Sequence, residues 1–98
     1  MTNGTYIFRE TVLPEDIKET IDNYVRFGIP TGHFLQACID NNLDGAIGRA
    51  DERSLEALPA IVGYLHNHTP WDCHGYQGAH DRHVKNKLRE RKRKAEDQ

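Results

Sequence analysis

The stretch "ADERSLEALPAIVGYL", residues 50 to 65, decides how the rest of the chain is read. Leu55, Leu58, Ile61, Val62 and Leu65 recur at steps of three and four, the spacing that gathers side chains on one face of a helix. Asp51 and Ser54 precede most of this run, and either side chain can accept a bond from an unpaired N–H of the next turn. Pro59 leaves two possibilities. A helix that begins at Asp51 carries the proline inside it, loses one backbone bond and kinks, whereas one that begins near Ser54 confines the damage to its start.

The flanking segments repeat this helical grammar. Upstream, "GIPTGHFLQACIDNN" (28 to 42) places Gly28 where one helix stops and Pro30 where the next is entered, with Phe34, Leu35, Cys38 and Ile39 as an apolar face. Before it, Pro14, Glu15 and Asp16 suit a helix start, and Ile17, Ile21, Tyr24 and Val25 give helical spacing, so a helix over 14 to 27 is expected. "LDGAIGRADERS" opens with what reads as a short, glycine-weakened helical turn over 43 to 50. Residues 67 to 78 carry Pro70, Gly75 and Gly78 and read as a loop. "TYIFRETVL" (5 to 13) suits a short strand or extended arm, with Tyr6 and Phe8 on one side and Ile7 on the other. The expectation is a mainly α, small compact bundle of about four helices over 14–78. An extended arm (1–13) precedes it and a basic helical tail (79–98) follows.

Bulk composition narrows the class. A chain of 98 residues with 37% apolar content makes one small domain. Two cysteines, Cys38 and Cys73, are too few for a disulfide framework, and no secretory leader opens the chain; a reducing cytoplasm is expected. The apolar runs fall far short of the roughly 20 residues that span a bilayer, so no membrane partner is expected. The net charge of −2 hides an asymmetry. Residues 1 to 81 hold 5 Lys/Arg and 12 Asp/Glu, a balance of −7, while residues 82 to 98 hold 8 and 3, a balance of +5. Such a basic block is either a solvated segment or an anion-binding arm.

Candidate chemistry concentrates in two places. Five of the six histidines and Cys73 fall in "YLHNHTPWDCHGYQGAHDRH" (64 to 83). Zinc sites usually pair closely spaced cysteines, which this chain lacks, so neither a metal nor a cofactor is expected. The letters HNH at 66 to 68 are not the scattered residues of the nuclease family. Cys38 reads as a small core residue, and Cys73 could be activated by His74 except that adjacent residues in a strand or loop usually point apart; no enzymatic activity is expected. The second place is "GIPTGHF". A proline-fixed, glycine-containing helix start leaves N–H groups pointing outward, Thr31 adds a hydroxyl, His33 adds a donor, and Gly32 permits close approach. With Pro30 and Phe34 framing the corner, Arg49 to neutralise charge and Trp71 to stack, these residues are the expected ligand site. The bland alternative is that each caps or covers the bundle.

Residues 13 to 75, about two thirds of the chain, resemble a group of small proteins encoded by bacteriophages and prophages. The likeness lies in "GIPTGHFL", "NNLDGAIGRAD", "IVGYLHN" and "PWDCHG". The resemblance implies a phage accessory protein in the host bacterial cytoplasm, working by stoichiometric binding and countering host defence. The leading expectation is a homo-oligomer that binds a small anionic, nucleotide-like ligand. The alternatives are an inhibitor or adaptor of a host protein, and a nucleic-acid binder acting through the basic residues 82 to 94.

Overall fold

The computed structural model describes residues 6–96; the start of the expected arm and the last two residues lie outside that span. Along it run β1 (Tyr6–Phe8), β2 (Thr11–Leu13), α1 (Glu15–Phe27), α2 (His33–Ile39), α3 (Leu43–Arg49), α4 (Glu52–His68) and α5 (Ala79–Glu96), with one 3-10 turn at Trp71–Cys73. The protein is mainly helical.

Asp51 settles where α4 begins. Its carboxylate accepts a bond from the Ser54 N–H at 2.7 Å, an interaction that holds its carboxyl below the ordinary carboxylate range. Pro59 therefore lies inside the helix. Its side chain faces solvent. The inner face of α4 carries Ala57, Ala60, Ile61, Tyr64 and Leu65, which meet Leu13, Ile17, Ile21, Tyr24, Leu35 and Ile39 in one core. Burying a side chain such as Ile21 or Ile61 contributes about 1.5–3 kcal/mol.

Tyr6 to Leu13 of the expected arm form a hairpin. Tyr6 pairs with Leu13 and Phe8 with Thr11 in antiparallel register. Arg9 and Glu10 make its two-residue turn with φ of 47° and 68°. That turn geometry normally calls for asparagine and glycine, which explains why the sequence shows no turn here. As the alternation predicts, Ile7 faces solvent, while Tyr6 and Phe8 pack on the core. Phe8 lies so close to Gly63 that a Cβ there would come within 2.7 Å of its ring.

Gly28 ends α1 as expected, at φ 69°, with its N–H bonded to Tyr24 O at 2.9 Å. It also sits directly under α5, because a Cβ at this position would lie 2.4 Å from Lys87 Cβ. The start of the expected solvent-exposed tail is packed into the core. Ala79 is buried and His80 is 3% exposed, since α5 docks on α1 and α2. Sequence reading missed this because alanine and histidine do not mark a core position by themselves.

Candidate functional site

Of the residues expected to hold a ligand, His33 and Arg49 come together. They line an open cleft of about 270 Å³ with Gln36, Ala37, Asp40 and Asn42. The polar groups of the cleft are already engaged with the fold. Arg49 donates to Gly45 O at 3.2 Å, Asn42 Oδ1 accepts from Gly45 N–H at 3.0 Å, and Asp40 Oδ1 accepts from His80 N–H at 2.9 Å. One carboxylate and one guanidinium make the cleft electrically mixed.

The other expected ligand residues lie elsewhere. Pro30, Thr31 and Gly32 form the connection before α2, which is only seven residues long. The Thr31 N–H, one of the expected anion donors, is taken by His80 Nε2 at 3.0 Å. Phe34 packs against the core. Trp71 is 86% exposed on the 3-10 turn and does not line the cleft. Of the seven expected residues, His33 and Arg49 line this cleft.

The histidines disperse as well. His66 and His68 close α4, and the His68 ring stacks on Tyr64 at 5.4 Å. His74 buries Nε2 with no hydrogen-bond partner among the described residues, and burial, followed by the nearby His66, lowers its pKa from the ordinary 6.5. His80 lies parallel to the Tyr24 ring at 5.2 Å. Because its Nε2 accepts from Thr31, the proton resides on Nδ1, which donates to Asp81 Oδ1 at 3.0 Å. His83 Nε2 donates to Val25 O at 3.0 Å. These two side chains fasten α5 to the body. No group of three His, Cys, Asp or Glu side chains suited to a metal occurs among the described residues. Burial raises the thiol pKa of Cys73, and that of Cys38 to about 12, so neither is a ready thiolate.

A second assembly of functional side chains lies on α5. At about 100° per residue, Arg82, Lys85, Arg89, Lys92 and Arg93 fall within about 100° of one another. All five are exposed. They form a ridge opposite the side that carries His80, His83, Val84 and Lys87, the residues facing the body. The ridge extends for about 16 Å along the helix. Arg82, Lys85 and Arg89 form no ion pair among the described residues, whereas Lys87 on the inner side pairs with Glu90 at 3.5 Å. Leu88 borders the ridge at 44% exposure. The signal was present in the sequence as cations at steps of three and four. Charge counting registers the excess; only the helical period places five charges on one face.

Among the described residues, no helix is long and apolar enough to cross a membrane. Compared with protein-family models, curated proteins and solved structures, the chain finds no match.

Proposed function

We propose that this protein is a non-catalytic binder of nucleic acid that contacts the phosphate backbone through α5. The observation that carries this reading is the five-cation ridge on the side of α5 turned away from the body. A helix of this width enters the major groove of duplex DNA, and lysine and arginine contacts to phosphate release condensed counterions. The acidic body repels the same backbone and confines contact to α5. Phosphate contacts fix position without carrying sequence information, so the share of affinity that the ridge draws from the backbone is insensitive to sequence.

Anisotropy of a labelled duplex of about 20 base pairs, followed across salt, tests the proposal; five phosphate contacts predict a log–log slope of about −4.5. Replacing Arg82, Lys85, Arg89, Lys92 and Arg93 with Gln abolishes binding at low salt if the ridge is the contact surface. Equal retention by the two proteins, or no retention of the native chain, overturns it.

The cleft supports a second reading, a small anionic ligand such as a nucleotide, because His33 and Arg49 share its wall. Arg49→Ala then weakens calorimetric binding of a nucleoside monophosphate while leaving the circular dichroism unchanged. Unchanged affinity, or no binding to the native chain, removes this reading.

A further inference from the structure

The outer face of α4 leaves apolar side chains uncovered among the described residues. At about 100° per residue, Glu52, Leu55, Pro59, Val62 and His66 fall within about 80° of one another, opposite the Ala57, Ala60, Ile61 and Tyr64 side that enters the core. All five are exposed, with Leu55 at 46% and Val62 at 49%. Their spacing of three, four, three and four is the seam pattern by which two helices pack together. The apolar surface continues onto α3. Leu43 and Ala46 share a narrow groove with Leu58 and Val62, and Leu43 is 64% exposed. For a chain with mean hydropathy of −0.78, this is a costly surface to leave in water.

We infer that this face joins two copies of the chain, with α4 packed antiparallel against α4 of the partner about a two-fold axis near Pro59. The order of residues along the seam identifies the occupant. Glu52 lies seven residues before Pro59 and His66 seven after it, so antiparallel pairing sets the acidic end of each α4 against the histidine end of the other. Leu55 of each copy meets Val62 of the other on both sides of the axis. A parallel pairing instead places acid against acid and histidine against histidine. The seam is therefore complementary to itself, with an imidazole N–H able to meet a carboxylate at each end and apolar side chains meeting between them, as an isologous interface requires. Pro59, whose backbone N–H is absent and whose ring faces outward, sits where the two helices cross. This pairing leaves the α5 ridge of each copy outside the seam.

Sedimentation equilibrium of the full chain tests the inference. The native protein is a dimer at about 100 µM, and Val62→Arg raises the dissociation constant at least about 100-fold, since a half-exposed valine becomes a buried charge. The thermal midpoint of the diluted, monomeric protein stays the same in that variant, which separates lost pairing from lost folding. Orientation is read from oxidative cross-linking: Pro59→Cys gives a covalent dimer, while Glu52→Cys alone does not and the Glu52→Cys protein mixed with His66→Cys protein does. A native monomer at that concentration overturns the inference, as does a Val62→Arg protein that stays dimeric. Cross-linking of Glu52→Cys alone overturns the antiparallel arrangement.

Discussion

The two halves of α5 belong to one continuous helix and differ in what holds them. From Ala79 to Lys87 the helix is tied into the body: Ala79 and His80 are buried, His80 accepts from Thr31, His83 donates to Val25, and Lys87 covers Gly28. From Leu88 onward the described side chains are exposed, and only Leu88 is strongly apolar. Tertiary packing supports the first half; helix propensity and solvation support the second. The basic ridge starts in the docked half and ends in the projecting half. The docked residues thus fix the direction of the ridge, with Arg82 donating to Tyr76 Oη at 3.3 Å at its inner end.

Substitutions that unfasten the docked half are expected to have the largest effects. Gly28→Ala combines a left-handed backbone with a Cβ 2.4 Å from Lys87 Cβ and is expected to cost about 3 kcal/mol in chemical denaturation. His80→Ala leaves the Thr31 N–H and the space against Tyr24 unfilled, at an expected cost of about 2 kcal/mol by the same measurement. A loss below about 0.5 kcal/mol in both variants would mean that the docked half is no more anchored than the projecting half.

Most of the helical frame was legible in the sequence. Gly28, Asp51 and the apolar positions of α1 and α2 act locally, through backbone conformation, capping and period. On α4 the period points to Leu55 and Val62, which are exposed, while Ala57, Ala60 and Tyr64 fill the core in their place, and α2 is entered at Gly32, two residues after Pro30. The missed features depend on contacts between distant segments. The Arg9–Glu10 turn lacks the residues that announce a turn, and its conformation is held by the pairing of Tyr6 with Leu13 and by Phe8 lying on Gly63. His80 looks like any tail histidine until Thr31 and Asp40, forty or more positions away, are seen to bond it. Only part of the expected ligand site lines one cleft, for a related reason. Its residues have suitable chemistry one by one, but Thr31 is spent on His80 and Trp71 lies on a separate turn. His33 and Arg49 share a wall only because α2 and α3 pack side by side.

Smaller effects sharpen the comparison at the body. Arg9→Asn with Glu10→Gly relieves two left-handed positions and is expected to add about 1 kcal/mol of stability without touching nucleic-acid retention. His74 should make stability depend on pH. Its folded-state pKa is depressed by burial and by His66, so the unfolded chain takes up the proton first; stability is complete above about 6.5 and falls as the pH drops below it. His74→Leu removes the unpaired Nε2, and denaturation curves between pH 7 and pH 5 should then change less than those of the native chain.

Truncation after Lys87, with duplex retention and thermal midpoint measured on the same preparation, is the most direct test. The projecting half carries Arg89, Lys92 and Arg93 of the ridge but little of the packing. The predicted result is a protein whose melting midpoint shifts by no more than a few degrees and whose affinity for duplex DNA falls at least about tenfold at low salt. Undiminished affinity in a folded truncated chain would contradict the assignment of nucleic-acid binding to α5.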